Sequence, residues 1–288
     1  MSKGSLFWAN ARGKLGESVF YRAGGEQRNR TYVKNIKNPK TKAQMSNRIQ
    51  MLNLSVIFKE LADILRFSFP NRSANQSGFN AFVKANKSAS SSVNTKEMLE
   101  KGVVAPYQYF VSKGDLIVPQ PTAVKPLSGE DVYGYVLDGE VNPNEPVPAR
   151  MSYLVNKLGL PQGTRVTIIK ATYVDDGWKL GYLSAPSSIE GSIIEKGEPI
   201  AISYVSSGAD AGNNVMSFGE VSEEDLLAVV FSYTDANGKL RVNTAQFRAM
   251  TSEGLSDAAA DFQGPNGFVF EQVLEQYGFN EDSMLSTR

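Results

Sequence analysis

The chain is 288 residues long, carries 30 Lys/Arg against 30 Asp/Glu, and contains neither histidine nor cysteine. These absences exclude Ser-His-Asp and Cys-His catalytic arrangements, His-ligated metal sites, iron–sulfur clusters and disulfides. Carboxylate chemistry or a Ser-Lys pair remains open. The composition nevertheless favours a protein that is not an enzyme, and we expect no catalytic, metal or cofactor site.

The neutral total conceals a charge split along the chain. Residues 1–90 carry 16 Lys/Arg and 4 Asp/Glu, a net charge of +12, while the remainder carries 14 and 26, a net charge of −12. A charge block on a structured segment marks an interaction surface more often than it serves solubility alone. Three arrangements are open: the two parts fold against each other, copies assemble head to tail, or one part binds an outside partner of opposite charge.

Length and hydropathy indicate the class of protein. The chain is long enough for two domains with their own cores. No run approaches the roughly 18–20 apolar residues that span a bilayer. The first residues lack the apolar centre of a signal peptide. We therefore expect neither a secretion leader nor a membrane partner.

The first 35 residues predict a meander of short strands. A turn-rich segment at 10–16 and the pair Gly24-Gly25 separate β-rich runs, and adjacent glycines at such a place are typical of a hairpin. Arg28 and Arg30 lie two residues apart on the returning strand and should share a face. An isolated hairpin is marginal in water, so we expect the meander to pack on the next helix or on another subunit. The predicted strands cover residues 5–8, 18–22 and 27–33.

A long helix is predicted from about residue 42 to residue 67. Pro39 keeps the preceding residue out of the helical region, Thr41 can cap the first turn, and Gln44 completes a capping box. Two apolar stripes along this helix give a wide apolar face. Leu61, on the second stripe, belongs either to the domain core, which is the favoured interpretation, or to a contact with a neighbouring subunit. The stripes are Met45, Ile49, Leu52 and Val56, and Met51, Leu54, Phe58, Leu61 and Leu65.

A second, shorter helix is predicted after Ser77, which can cap it. Phe79, Phe82 and Val83 lie at helical spacing along it. The serine-rich run at 87–92 then predicts a linker or exposed loop. We place the domain limits accordingly: a basic β-hairpin plus helical domain at 1–90, a linker with short strands at 91–146, and an acidic, β-rich α+β domain at 147–288.

Beyond residue 102 the chain is rich in strand patterns. Turn sequences at 175–177 and 235–238 separate alternating apolar runs and predict two hairpins. Pro146 and Pro148 favour the start of a helix that Gly159 ends. Because no βαβ rhythm is present, the predicted fold class is α+β: a meander with a long and a short helix, then a mainly antiparallel domain with a few helices. The predicted strands cover 102–112, 115–118, 133–137, 165–174, 178–183, 200–205, 226–234 and 239–247, and a closing helix covers 268–277.

Two acidic turns are candidate sites that the sequence supports poorly. A calcium loop beginning at Asp235 needs a glutamate at its twelfth position, where this chain has Gln246. Asp175 and Asp176 lie in the other hairpin turn, so a paired-carboxylate role in acid–base catalysis is the weaker interpretation. We interpret both segments as β-turns.

The strongest candidate binding site in the sequence is a cluster of seven cations interleaved with Tyr21, Tyr32 and Asn35. Such a surface suits acidic protein partners, and it also suits phosphate and base contacts. A domain built for nucleic acid is usually basic throughout, whereas this chain is neutral. We therefore favour protein–protein assembly as a homo-oligomer and keep nucleic-acid binding as the alternative. The interface candidates are Arg28, Arg30, Lys34, Lys37, Lys40, Lys42, Arg48 and Leu61.

Four motifs in the first third of the chain form a recognisable set: Gly13-Lys14-Leu15-Gly16, Val19-Phe20-Tyr21-Arg22, Asn38-Pro39-Lys40-Thr41-Lys42-Ala43-Gln44 with Arg48, and Gly78-Phe79. Through them the chain resembles an uncharacterised domain family of Bacteroidota and of the crAss-like bacteriophages that infect them. The resemblance implies a virion component of the neck or tail, such as a ring subunit, that contacts portal-proximal or tail proteins. It implies a location in the virion after synthesis in the host cytoplasm, and it supplies no catalytic residues.

Overall fold

The structure is a computed structural model that describes residues 12–23, 25–34, 41–87, 94–106, 108–124, 132–138, 144–174, 177–188, 191–206, 213–218 and 225–249. The predicted strand at 5–8, the turn residues Asp175 and Asp176, and the closing helix at 268–277 lie outside these residues. Within them the fold is α+β, as predicted, and every strand pairing in its sheets is antiparallel.

The meander consists of β1 (Gly13–Leu15), β2 (Ser18–Ala23) and β3 (Glu26–Thr31), in the spatial order β1-β2-β3. Gly16 (φ +60°) and Gly25 (φ +80°) take the left-handed conformation that the two tight turns require. The segment at 10–16 was predicted to be only a turn, and this prediction is wrong for β1, which pairs with β2. A three-residue strand is too short to show period-two alternation, so its sequence carried only the turn signal.

The long helix begins where predicted but is divided in two. Thr41 Oγ1 accepts a hydrogen bond from the Gln44 N–H (3.3 Å) at the start of α1 (Lys42–Glu60). The helix ends at Leu61 (φ −110°, ψ 24°), and a single further turn, α2 (Ala62–Leu65), follows. The prediction of one helix to residue 67 is therefore wrong at its C-terminal end, although Leu61 and Leu65 of the predicted stripe are both buried in the core.

Three further helices lie in the described residues. The predicted cap at Ser77 is confirmed, since its hydroxyl accepts a hydrogen bond from the Asn80 N–H (3.1 Å) at the start of α3 (Gly78–Asn86). A short helix, α4 (Lys96–Glu100), was not predicted. The helix predicted after Pro146 is α5 (Val147–Lys157), and Gly159 (φ +66°) follows its end as expected.

The remaining strands form three sheets. The six-stranded sheet has the order β13-β12-β7-β8-β9, with β15 also pairing with β12; the four-stranded sheet has the order β10-β11-β6-β5, and β14 pairs with β4. The strands are β4 (Phe110–Ser112), β5 (Thr122–Val124), β6 (Val132–Asp138), β7 (Arg165–Val174), β8 (Gly177–Pro186), β9 (Ile194–Lys196), β10 (Ser203–Ser206), β11 (Asn213–Ser217), β12 (Leu226–Thr234), β13 (Leu240–Val242), β14 (Ala245–Gln246) and β15 (Arg248–Ala249).

Two predicted strands are largely irregular backbone. In the run predicted at 102–112 only β4 forms a strand, and Val104 makes an isolated bridge to Trp178. The Asn94 Oδ1 atom accepts a hydrogen bond from the Ala105 N–H (2.6 Å), so a side chain satisfies backbone that a sheet neighbour would otherwise pair. The run predicted at 115–118 likewise contributes only a bridge from Leu116 to Asn243.

Two apolar cores lie on opposite faces of the six-stranded sheet. The helix-side core joins α1, α2 and α3 to one face of the sheet, and the α5-side core joins α5 and the four-stranded sheet to the other. Alternate residues of β12 enter the two cores, which explains why that strand is buried along most of its length. Helices before residue 90 and strands after residue 147 therefore share one core, and the predicted limits at 90 and 146 do not separate independent cores.

Candidate functional site

The register of the meander gathers cations and aromatic rings on one face. Arg30 lies opposite Val19, Val19 lies opposite Lys14, and Arg28 lies opposite Tyr21. Directly paired residues of antiparallel strands point to the same side, so the predicted common face of Arg28 and Arg30 also includes Lys14. We define the cationic face as the residues Lys14, Val19, Tyr21, Arg28, Arg30 and Tyr32.

A cation–π contact ties the two ends of the cationic face together. The Lys14 Nζ atom lies 3.8 Å from the centroid of the Tyr32 ring. Such a contact contributes about 0.5–1 kcal/mol at an exposed site. Sequence reasoning did not single out Lys14, because its place on this face depends on pairing between β1 and β2 rather than on spacing within one strand.

The described residues of the meander are exposed or half-buried, with Val19, Phe20 and Gln27 among the half-buried ones. None of the described residues in 12–23 and 25–34 is buried, and the Tyr21 and Tyr32 side chains are 39% and 38% exposed. A small sheet usually needs one packed apolar face for its stability. A partner that covers the cationic face would therefore stabilise the meander as well as bind it.

Most of the positive charge on the meander is available to a partner. Arg28 lies 3.7 Å from Glu26, and both side chains of this pair are exposed, so the pair contributes little. Within the described part of the chain, no ion pair involves Arg22, Arg30 or Lys34.

Of the other predicted cations, only the Arg48 side chain lies in the described part of the structure. Arg48 is exposed on α1, with its Nη1 atom 3.7 Å from Met45 Sδ. Lys42 is the first residue of α1, and its side chain lies outside the described atoms; Lys37 and Lys40 lie outside the described residues. The structure thus brings Arg28 and Arg30 together with Lys14 on one face.

Leu61 does not belong to an interface. Its side chain is 0% exposed and packs in the helix-side core with Leu54, Ile57, Leu65 and Phe82. Listing Leu61 among the interface candidates is therefore wrong, because the monomer already covers it. The favoured interpretation, that this apolar stripe packs inside the domain, is confirmed.

A second surface, which the sequence did not predict, combines apolar and acidic side chains. Phe67 (62% exposed) follows α2, and Ile194 (48% exposed) begins the edge strand β9; both line a groove of about 310 Å³. Asp63 and Arg165 line the same groove. Glu195 and Glu198 are exposed nearby, but Glu195 points to the opposite face of β9 from Ile194, and Glu198 lines a separate cavity. We define the acidic–apolar patch as the exposed edge of the sheet at β9 with the groove beside it, which comprises Asp63, Phe67, Ile193, Ile194, Glu195 and Glu198.

Tyr182 holds one acid of this patch in place. Its hydroxyl donates a hydrogen bond to Asp63 Oδ2 (3.1 Å). Loss of hydration, together with the hydrogen bond to Asp63 and its negative charge, raises the pKa of the Tyr182 hydroxyl. Asp63 thereby stays oriented at the groove between α2 and the sheet.

The acidic turn at Asp235 is a β-turn, as the sequence predicted. Asp235 Oδ1 accepts hydrogen bonds from the N–H groups of Asn237 (2.9 Å) and Lys239 (3.0 Å), and Oδ2 accepts one from Arg241 Nε (2.9 Å). Gly238 (φ +74°) closes the turn in the left-handed conformation. The carboxylate of Asp235 is thus engaged in organising the hairpin between β12 and β13.

Arg241 also binds Asp115 and so ties the hairpin to the segment after β4. Loss of hydration raises the pKa of Asp115, but hydrogen bonds from its own backbone and from Arg241, with attraction to Arg241 and Lys239, outweigh this and lower it. For Asp235, the hydrogen bond from the Lys239 N–H and that from Arg241 lower the pKa. Hydrogen bonds to Asp235 and Asp115, and the negative charges of these two residues, raise the pKa of Arg241 in turn.

Acid is expected to release this network. Because folding lowers both carboxyl pKa values, the network stabilises the folded chain above the ordinary value of 3.8, and its contribution disappears as the pH falls through the lowered values. Urea unfolding at neutral pH and at about pH 3 should show a smaller loss of free energy of unfolding for Arg241→Gln than for the unmodified chain. Equal losses would show that the network does not contribute.

Within the described ranges, no group of three or more acidic side chains is arranged to hold a metal ion. No helix among the described residues is long and apolar enough to cross a membrane. Comparisons of the chain with protein-family models, curated proteins and solved structures find no match.

Proposed function

We propose that this protein is a non-enzymatic structural protein that self-associates through the cationic face of its meander. The observation that carries the proposal is a sheet with no fully buried residue among those described, in which Arg22 and Arg30 pair with no acidic side chain of the described part of the chain. The absence of histidine and cysteine supports a role without catalysis.

The partner surface is the acidic–apolar patch of a second copy. Arg28 and Arg30 match Glu195 and Glu198 in charge, while Tyr21 and Tyr32 match the exposed Phe67 and Ile194 in polarity. These two surfaces are different parts of the chain, so the contact is head to tail. Such a heterologous contact forms a closed ring when the rotation per subunit closes, and a filament when it does not.

The biological setting we propose is the neck or tail of a bacteriophage virion, with the ring docked on other virion proteins. This finer assignment is supported by the sequence resemblance of residues 13–16, 19–22, 38–44 and 78–79. The localisation in the virion rests on the same resemblance.

A second function, nucleic-acid binding, is favoured by one observation. Tyr21 and Tyr32 lie among the cations of one strand face, an arrangement that binds single strands through base stacking and phosphate contacts. The net charge of −12 beyond residue 90 opposes this function, because it repels a polyanion.

Light scattering and electron microscopy of the full chain at low and high salt test the proposal. We expect closed assemblies at low salt that become smaller as salt rises, since exposed charges are screened beyond about 10 Å at 0.1 M salt. A monomer at both salt concentrations would contradict self-association. If that monomer also bound single-stranded DNA with a log–log salt slope of about −4, the second function would replace the first.

A further inference from the structure

A concave, positively charged site lies away from the meander, between α3 and the segment after β4. The cavity has a volume of about 370 Å³. Three cations line it: Arg72 from the turn before α3, Lys84 from α3, and Lys113 from the residue after β4. We name it the Lys84 cavity.

Among the described residues, none that lines the Lys84 cavity carries a carboxylate. Within the described part of the chain, Arg72, Lys84 and Lys113 also form no ion pair. Two other cavities differ, because Glu60 and Glu198 line one and Asp63 lines the groove beside α2. A concave wall that carries charge of one sign concentrates the electrostatic potential inside it.

Local contacts orient Arg72 and anchor the backbone of Lys113, while the Lys84 side chain is exposed. Arg72 Nη1 donates a hydrogen bond to the Arg66 carbonyl oxygen (2.7 Å), which fixes the guanidinium plane. The Lys113 N–H donates to the Ser68 carbonyl oxygen (3.1 Å), and Lys113 Nζ lies 5.7 Å from the Phe110 ring centroid. Such preorganisation lowers the entropy lost on binding.

Neutral groups complete the lining. The side-chain amides of Asn71 and Gln76 supply further hydrogen-bond donors, and the buried Phe69 and Ala81 form an apolar wall. A few convergent polar groups beside an apolar wall are typical of a small-molecule site, and this volume lies at the lower end of such sites.

We propose that the Lys84 cavity binds a small molecule that carries a diphosphate group. Two linked phosphates carry enough negative charge to engage all three cations, and phosphate oxygens accept the charge-assisted hydrogen bonds that Arg and Lys donate. The apolar wall then faces the organic part of the ligand. This binding does not depend on self-association.

Calorimetric titration of the full chain with pyrophosphate tests the proposal. We expect saturable binding that Lys84→Gln/Lys113→Gln weakens by about tenfold or more, because the variant loses two charge-assisted contacts to the phosphates. Both lysines are exposed, so the double variant should fold, as circular dichroism can verify. The matched control is Lys59→Gln, an exposed lysine of α1 outside the cavity lining, and it should bind like the unmodified chain.

Three results would overturn the proposal: no heat of binding at millimolar pyrophosphate, equal weakening in Lys59→Gln, or unchanged binding in the double variant. Duplex DNA forms the second arm of the titration. If DNA binding depends on Lys84 and Lys113 while pyrophosphate does not bind, the cavity is part of a nucleic-acid surface and the proposal is wrong. The variant Arg28→Glu/Arg30→Glu/Lys34→Glu, which we expect not to self-associate, should bind pyrophosphate like the unmodified chain.

Discussion

Leu61→Asp is expected to lower the free energy of unfolding by about 4 kcal/mol or more, enough to unfold much of the chain. The Leu61 side chain is 0% exposed in the helix-side core, at the break between α1 and α2. An aspartate there would place an unpaired charge among Leu54, Ile57 and Phe82. Urea unfolding followed by circular dichroism measures the loss.

The matched control for this variant is Ser55→Asp, which puts the same charge on the exposed side of α1. We expect it to change the free energy of unfolding by less than about 1 kcal/mol. Equal stability of Leu61→Asp and Ser55→Asp would contradict the placement of Leu61 in the core. It would also restore the interpretation of Leu61 as a surface residue.

Asp225→Ala is expected to lower the free energy of unfolding by about 3 kcal/mol, as measured by urea unfolding. Asp225, whose side chain is 3% exposed, lies 3.2 Å from Lys170 Nζ and accepts a hydrogen bond from the Tyr173 N–H (2.8 Å). Its removal leaves a half-buried ammonium without its carboxylate and a backbone donor without its acceptor. Lys170 borders an open cavity, so partial hydration keeps the expected cost at the lower end for a broken buried pair.

Glu97→Ala is the control for Asp225→Ala, because Glu97 also pairs with a lysine but on an exposed helix turn. We expect a cost below about 0.5 kcal/mol for Glu97→Ala. If the two substitutions lower the free energy of unfolding equally, burial of the Asp225–Lys170 pair does not determine how much the pair stabilises the fold.

Local patterns predicted the elements whose signals lie within one short segment. The caps at Thr41 and Ser77, the helix after Pro146 and the hairpin strands β7 and β8 were all predicted, and each is confirmed. In these cases a side chain caps its own helix, or an alternating pattern matches its own strand, so the sequence carries the full physical cause.

Elements that depend on distant residues were missed. The break at Leu61 has no proline or glycine to mark it in the sequence, and the irregular run before β4 is held by Asn94. The region predicted as one strand at 239–247 divides at Asn243, whose side chain accepts from the Phe231 N–H and donates to the Val229 carbonyl oxygen. Spacing along the chain carries no information about such contacts.

The candidate surfaces also combine features that the sequence predicts with features that depend on tertiary contacts. Period-two spacing predicted that Arg28 and Arg30 share a face, and the pairing of β2 with β3 confirms it. Lys14 joins them only through β1, and the acidic–apolar patch forms only because Phe67 and Ile194 line one groove. Those residues are far apart in sequence, so only the tertiary structure reveals the patch.

A charge-swap experiment tests the head-to-tail contact most directly. One variant, Arg28→Glu/Arg30→Glu/Lys34→Glu, makes the meander acidic; the other, Glu195→Lys/Glu198→Lys, makes the patch basic. Each alone should remain monomeric, because its two docking surfaces then repel each other. Lys84→Glu/Lys87→Glu/Lys113→Glu changes the formal charge by the same amount as the first variant, but away from the meander, and should assemble normally.

Mixing the two docking variants restores opposite charges at both kinds of contact, between the acidic meander and the basic patch and between the unmodified meander and the unmodified patch. Light scattering of the equimolar mixture should therefore show assemblies of alternating subunits, with the mass of the unmodified oligomer. A mixture that stays monomeric, or separate variants that each assemble like the unmodified chain, would contradict self-association through these two surfaces.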